Sequence, residues 1–216
     1  MESCVCSGYT SSNGRYGEHG HECRTVRRRS TKRISQMITQ VAWLDREFVF
    51  SQPIGMFPIS LERLRGTPAR AKELVSGVRE DVLAMRSHDK WSAKEHLGHL
   101  IDLEPLDARR LDEFLNRAEV LSAADIENRA TENGSHREIP IADITRRLAA
   151  GRDQLIRRLE MLTEKEIEIT AWHPRLQKPM RLLDWAYFLA EHDDHHLALA
   201  RGVMAELNHQ QFRKER

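Results

Sequence analysis

The sequence has few cysteines, and none of them lies where a core would form. Its three cysteines all fall within the first two dozen residues of the chain. This distribution does not indicate a small fold held together by disulfides. A zinc site remains an alternative for this segment, although the spacing is not a standard one for zinc ligands. Its ligands would be Cys4, Cys6, His19, His21 and Cys23.

Long apolar runs are also missing. No stretch approaches the roughly 20 apolar residues of a membrane-spanning helix, and the N-terminus lacks the apolar segment of a secretory signal. We therefore expect a cytoplasmic protein without a membrane partner. A Walker phosphate loop, a G-x-S-x-G elbow and an H-E-x-x-H zincin motif are absent as well, so the sequence offers no support for those enzyme classes.

Charge of one sign does not dominate the chain. Residues 1–36 contain seven Lys/Arg and three Asp/Glu of the chain totals of 34 and 33, which leaves 27 basic and 30 acidic side chains in the remainder. The part that folds is mildly acidic, so we do not expect nucleic acid as a partner.

Helical periodicity dominates the sequence from about residue 56 onward, and no stretch alternates as a strand does. A chain of 216 residues, 40% hydrophobic and 31% charged, suits one domain and a tail. We therefore predict an all-α protein, a four-helix bundle with one long crossover connection. Residues 1–45 are expected to form a disordered tail, and residues 46–210 the bundle.

Four helices are predicted from caps, breaks and apolar stripes. Proline and glycine punctuate the chain between them, and the second helix has the clearest start, a capping box of Ser92 and Glu95. A polar stretch over residues 119–138 is expected to cover one end of the bundle. The predicted helices span about 58–76 with a kink or break at Thr67-Pro68, about 92–117, about 140–162, and about 181–208, the last following a proline-bounded segment that interrupts the pattern.

The last predicted helix carries the motif Glu191-His-Asp-Asp-His-His196. Positions four apart on a helix differ by about 40° around its axis, so His192 and His196 both face the core, along the apolar stripe. His195 lies at the border of that stripe, where contact with solvent or a supporting role is expected. Two buried imidazoles need partners for their ring nitrogens, which a divalent metal would supply. The alternative is a pair of core histidines bonded to carbonyls or carboxylates.

A third ligand would come from a facing helix, and the second helix offers His96 and His99. Periodicity places His96 nearer the centre of the apolar face and His99 at its edge. The pattern taken by itself would therefore not choose His99.

Two motifs together resemble the DinB/YfiT-like superfamily of metalloenzymes. They are Trp91-Ser-Ala-Lys-Glu-His-Leu-Gly-His99-Leu-Ile-Asp-Leu-Glu104 and, about ninety residues later, Glu191-His192-Asp-Asp-His-His196-Leu-Ala. In that family the histidine eight positions after the tryptophan joins a His-x-x-x-His pair on the last helix. The resemblance spans roughly residues 46–202 and implies His99, His192 and His196 as metal ligands. Similar sequences often have Gln or Arg shortly after the last ligand, whereas this chain has Leu199 and Ala200 before Arg201.

The resemblance implies a metal-dependent enzyme that acts on a small molecule. Three protein ligands leave a coordination position open, as in catalytic sites. The metal would be Zn, Ni, Mn or Fe, and the reaction hydrolysis or transfer of a low-molecular-weight thiol. Homodimers are expected for such bundles. A non-catalytic, metal-stabilised binding or stress-response module is the alternative, whereas a di-iron bundle lacks its Glu-x-x-His spacing.

Three further residues are candidates for supporting roles. Glu104 lies on the inner stripe of the second helix and is the candidate proton acceptor, with a buried ion pair to Arg152 as the alternative. His173 and Arg175 lie in the proline-bounded segment before the last helix. A surface turn is the simpler reading of that segment, and contact with a substrate anion is the other.

Overall fold

The structure is a computed structural model that describes residues 38–214. The cysteine-histidine zinc site and residues 1–37 of the predicted tail lie outside the described residues, so both stay predictions. The tail was predicted to end at residue 45, but Gln40 and Trp43 already contact the last helix, through His195 and His192 respectively.

The helices follow the predicted order, with short additions between them. None of the described helices combines the length and the apolarity that a membrane crossing requires. In chain order the elements are α1 (Phe57–Val75), α2 (Glu80–Leu83), α3 (Ala93–Asp102), α4 (Glu104–Leu115), α5 (Arg129–Glu132), α6 (Ile141–Glu160), α7 (Glu164–Ile167), β1 (Thr170–His173), β2 (Lys178–Arg181) and α8 (Leu182–Lys214).

The bundle consists of α1, α3 with its continuation α4, α6 and α8. Helices α1 and α3 each pack against both α6 and α8. Consecutive long helices, α1 then α3 and α6 then α8, therefore occupy opposite corners of the bundle. The predicted all-α bundle with one long connection, here residues 116–140 between α4 and α6, is confirmed.

Two prolines inside predicted helices have different effects. Helix α1 is not broken at Thr67-Pro68; side chains of Thr67 and Arg70 donate to the carbonyl of Arg63 one turn earlier, at 3.3 and 2.9 Å. The second helix was predicted to be continuous over 92–117, but it is divided at Leu103 into α3 and α4. Pro105 lacks the N–H that would continue the ladder, which accounts for the division.

A two-stranded antiparallel hairpin, β1–β2, lies in the segment expected to be irregular. Trp172 pairs with Pro179 across it, and Gln177 takes a left-handed conformation in the turn, with φ of 50°. Each strand has four residues and one contains a proline, which is depleted in strands. The alternation was too short to be read from the sequence. The hairpin places His173 and its neighbours at one end of the bundle.

A buried polar layer divides the apolar core of the bundle along the helix axes. On α8 one apolar cluster includes residues up to Ala190 and the next starts at Leu197. On α6 the two clusters flank the buried Arg152, with Leu148 on one side and Leu155 on the other. The layer between them contains His192, Asp193, His196, Arg152 and Asp107, each at most 7% exposed.

Candidate metal centre

Three histidines from two helices converge in the polar layer. His99 of α3 and His192 and His196 of α8 each offer a ring nitrogen, and these nitrogens all lie within 4.8 Å of one another. The Nε2 atoms of His192 and His196 are 3.1 Å apart. All three side chains are buried; the apolar stripe of α8 predicted this for His192 and His196, whereas periodicity placed His99 at the edge of its apolar face. The expected placement of His99 with the pair is therefore found.

The ring of His99 is oriented by a chain of hydrogen bonds. The hydroxyl of Thr131 donates to Asp102 Oδ2 at 2.7 Å, because a carboxylate only accepts. Thr131 Oγ1 therefore accepts from His99 Nδ1 at 3.0 Å, and His99 Nε2 is left without a proton. His136 Nε2 also donates to Asp102, at 2.8 Å. The chain fixes the tautomer that a metal ligand needs.

The connection between α4 and α6 supplies two members of this series of hydrogen bonds, since Thr131 lies in α5 and His136 follows it. Gly98 of α3 makes the approach possible: a Cβ there would meet His136 Cγ at 2.3 Å. The polar stretch 119–138 was predicted to cover one end of the bundle; Thr131 and His136 instead bring part of it beside the polar layer. The sequence did not single out Asp102, Thr131 or His136, although Asp102 is one helical turn after His99.

Two more histidines border the three. His96, the rival candidate, is as buried as His99, and its Nδ1 lies 3.1 Å from His196 Nδ1. One of these two nitrogens must donate to the other. His195 is 6% exposed rather than solvent-facing, and Gln40 Nε2 lies 2.7 Å from its Nδ1. Both rings thus support the cluster, and neither belongs to the group of three.

The histidines are held in their neutral form. Burial lowers the pKa of His99 to about 4 and that of His96 to about 3. Burial, together with the neighbouring imidazoles, holds the pKa of His192 and of His196 well below the ordinary histidine value. Neutral imidazole is the form that binds metals. The cluster is therefore ready to act as a ligand set at neutral pH.

Arg152 pairs with Asp193 and not with Glu104, the carboxylate that the sequence suggested. Its Nη2 and Nε donate to Asp193 at 2.7 and 3.0 Å, and its Nη1 lies 3.5 Å from Asp107. Glu104 Oε1 has no hydrogen-bond partner among the described residues. The alternative of a Glu104–Arg152 ion pair is thus wrong, because Asp193 occupies both donors of that face of the guanidinium.

Two carboxyl groups near Arg152 have raised pKa values. Burial raises the pKa of Glu104 to about 7, against the pull of Arg152. Burial likewise raises the pKa of Asp107 to about 7. Glu104 lies in a small cavity of about 70 Å³ beside Gly151, and Asp107 borders both this cavity and a larger one. Of the two, Asp107 shares a cavity with a member of the histidine cluster.

That larger cavity has a volume of about 370 Å³ and reaches His192. Its walls are mainly apolar, from Trp185, Phe188 and neighbouring leucines, with a few charged groups. His173 and Arg175, which the sequence suggested for substrate contact, both line it. The hairpin and the long connection close its sides. A small molecule in this cavity would lie next to the histidine cluster.

A family model described as the DinB superfamily matches residues 63–200. The chain belongs to the DinB superfamily. Among solved structures, the DinB-like protein YfiT from Bacillus subtilis is similar with a TM-score of 0.66 and 16% sequence identity, over 76% of this chain and 94% of that one. YfiT is described as a probable metal-dependent hydrolase with an unusual four-helix bundle topology. A search of curated proteins finds no match.

The DinB superfamily assignment agrees with the resemblance of the two histidine motifs. Arg201, which stands near the position where similar sequences often have Gln or Arg, is exposed here. The metal-binding roles of His99, His192 and His196 and a catalytic role of Glu104 stay predictions. Asp107 and Arg110 were not identified from the sequence as residues of the cavity. They lie on α4, four and seven residues after Leu103. The prediction of one continuous helix did not include the break at Leu103, so it did not place this face of α4 correctly.

Proposed function

We propose that this DinB-superfamily protein is a metal-dependent hydrolase acting on a small molecule, with His99, His192 and His196 as the metal ligands. One observation carries the proposal: the three ring nitrogens lie beside a mainly apolar cavity of about 370 Å³ that reaches His192. The description of YfiT as a probable metal-dependent hydrolase supports the same reading. A bundle that kept the metal only for stability would have no use for such a cavity.

The donor set fits a divalent cation. Tetrahedral ligands held about 2.0–2.1 Å from zinc lie roughly 3.3 Å apart, close to the 3.1 Å between His192 and His196 Nε2. If those two nitrogens are ligands, His196 Nδ1 carries its proton and donates to His96. Three histidines favour Zn, and also admit Ni, Mn or Fe. Such an ion would acidify a bound water or hold a thiolate.

The chain's own residues would manage the proton in hydrolysis. Water oxygen attaches to the electrophilic atom, the bond to the leaving group breaks, and the proton lost by water ends on the leaving group. Asp107, with a pKa of about 7 and a place on the cavity wall, is suited to relay that proton. Glu104, with the same pKa, is proposed as a proton reservoir behind it.

Metal content tests the ligand set. Untagged full-length protein is purified without added metal and analysed by inductively coupled plasma mass spectrometry. We expect about one divalent metal per chain and a sharp loss in His192→Ala. His209→Ala is the matched control, since His209 is exposed on the same helix. Unchanged metal content in His192→Ala would reject the site.

Activity separates the reaction classes. The metal-loaded protein is assayed on a panel of esters and amides, and in parallel for opening of an electrophile by a small thiol. Hydrolysis that is lost in His192→Ala and reduced in Asp107→Asn supports the proposal. Turnover that requires the thiol would assign a thiol-dependent S-transferase instead. Full metal content without activity on either panel would favour a binding module.

A further inference from the structure

We propose that the cavity beside the histidine cluster is a receptor for a carboxylate, with Arg175 and His173 as the groups that bind it and the apolar walls enclosing the rest of the substrate. The inference rests on the proposed function only for the location of the reacting end, at His192. It defines the substrate class: a small, largely apolar molecule with a single negative charge.

His173 presents a hydrogen-bond donor to the cavity. The backbone N–H of Leu176 donates to His173 Nδ1 at 3.2 Å, so in the neutral ring the proton is on Nε2. That Nε2 is buried and has no partner among the described residues, and the side chain is only 2% exposed. Burial, with Arg110 and Arg175 nearby, lowers the pKa of His173 to about 3 and keeps the ring neutral. A buried donor without an acceptor is costly, so a bound acceptor is expected here.

Arg175 presents a second donor. Its Nη2 is also buried without a partner among the described residues. The guanidinium carbon lies 5.9 Å from the ring centroid of Trp43 and 5.6 Å from that of Phe188. These aromatic faces hold the cation in place and leave its N–H edge without a carboxylate. Arg175 therefore differs from the buried arginines Arg152, whose Nε and Nη2 donate to Asp193, and Arg110, whose Nε and Nη2 donate to the carbonyl of Ser122.

The charges that face the cavity leave a surplus of positive charge. Arg110 lines it as well and donates to the carbonyl of Ser122 at 2.8 and 3.0 Å, so it adds charge but offers fewer free N–H groups. Asp107 is the one carboxylate among the cavity-lining residues of the described chain. Two arginines against one carboxyl favour a monoanion. A dianion such as a phosphate ester would be repelled more strongly by Asp107.

The hairpin gives this arrangement a structural reason. His173 ends β1 and Arg175 lies in the turn, so the β1–β2 pairing fixes both donors at the cavity. Burying His173 Nε2 and Arg175 Nη2 without partners has no benefit for stability. Anion recognition accounts for both unpartnered donors. It also agrees with the alternative, raised from the sequence, that this segment contacts a substrate anion.

Ligand binding to the full-length protein tests the inference, with 3-phenylpropanoate as the probe and 3-phenylpropan-1-ol as its uncharged match. Titration calorimetry is run on the protein as purified and after EDTA treatment. We expect the carboxylate to bind at least about tenfold more tightly than the alcohol in both states, as expected for a charge-assisted hydrogen bond. Preference that disappears with EDTA would show the carboxylate binding a metal instead, and would overturn the inference.

Variants locate the binding groups. Arg175→Gln is expected to weaken the carboxylate about ten- to a hundredfold and the alcohol less than twofold, with partial recovery in Arg175→Lys. His173→Phe should weaken the carboxylate less, since it removes a neutral donor. Arg157→Gln, at an exposed arginine of α6, is the control. Metal content should stay unchanged in all of them, so a failed metal site and a failed anion site are distinguishable.

Three results would contradict the inference. Equal affinity of unaltered protein for the acid and the alcohol would exclude a carboxylate receptor, and this comparison needs no variant to fold. Unchanged affinity of a folded Arg175→Gln protein for 3-phenylpropanoate would show that Arg175 does not bind the carboxylate. Tighter binding of phenylphosphonate than of 3-phenylpropanoate would assign a phosphoryl substrate instead.

Discussion

Arg152 of α6 and Asp193 of α8 form a two-pronged ion pair at the centre of the bundle, at 2.7 and 3.0 Å, and neither is more than 1% exposed. Asp193 directly follows His192. The pair therefore joins the helix that carries two of the clustered histidines to the helix opposite them. Charges buried this deeply are tolerated only when both remain paired.

Breaking that pair should destabilise the fold. For Asp193→Asn, which leaves Arg152 with only the more distant Asp107, at 3.5 Å, we expect a loss of about 3–5 kcal/mol in the free energy of unfolding. The double variant Arg152→Met/Asp193→Leu should lose less than either single variant. Urea unfolding in EDTA measures this, with the exposed Asp153→Asn as control. A loss below about 1 kcal/mol in Asp193→Asn would mean that the pair is dispensable.

Removing the hydroxyl of Thr131 should weaken metal binding without unfolding the protein. Thr131→Val leaves His99 Nδ1 without its acceptor and frees the ring to rotate, for which we expect about a 10- to 100-fold loss of metal affinity. Competition with a chelating dye measures the affinity. Thr145→Val is the control, because Thr145 bonds only to backbone carbonyls of its own helix. Equal metal affinity in both variants would show that the hydrogen bond to Thr131 does not orient His99.

Two glycine-to-alanine changes in helices should act in opposite directions. In Gly98→Ala the new Cβ meets the ring of His136 at 2.3 Å, and we expect a loss of about 1–3 kcal/mol. Gly202→Ala has nothing within 4 Å and should gain up to about 1 kcal/mol from helix propensity. Thermal and urea unfolding compare them. A stabilised Gly98→Ala protein would show that the connection does not pack as described.

Acid should destabilise the metal-free protein. Several buried histidines, among them His96, His99 and His173, have folded-state pKa values of about 3 to 4, so below about pH 6.5 the unfolded chain binds more protons than the folded one. The free energy of unfolding therefore falls as the pH drops from 6.5 towards 4. Glu104 and Asp107, with pKa values of about 7, act in the opposite sense, but the histidines outnumber them.

Unfolding free energies measured in EDTA between pH 4 and 8 check this balance. We expect a positive slope of stability against pH between about 4 and 6.5. In Glu104→Gln the opposing contribution of that carboxyl is removed, so the slope should become steeper. A flat or negative slope in the unaltered protein would mean that the histidines are not held neutral.

The capping box and the histidine stripe could be predicted because both depend on local spacing. Ser92 Oγ accepts from the amide of Glu95, and Glu95 returns a bond to the amide of Ser92 at 2.8 Å. His192 and His196 follow the apolar stripe of α8 into the core. In each case the interacting groups are three or four residues apart, where helix geometry fixes their relation.

Features that depend on distant parts of the chain could not be predicted in the same way. Periodicity favoured His96 over His99; what distinguishes His99 is the hydroxyl of Thr131, 32 residues later. The partner of Arg152 is Asp193 and not Glu104 because α6 and α8 face each other at that level. The hairpin was missed because each strand is only four residues long.

The polar layer between the two apolar clusters also fixes how the helices can slide past one another. An axial shift of α8 by one turn, about 5.4 Å, would bring Leu189 or Leu197 opposite the guanidinium of Arg152 in place of Asp193. A core made only of leucines would tolerate such a shift. In this bundle the shift would leave the buried guanidinium of Arg152 without Asp193. The polar residues of the candidate site therefore also fix the axial register of the helices, because only one alignment of the helices leaves each of them paired.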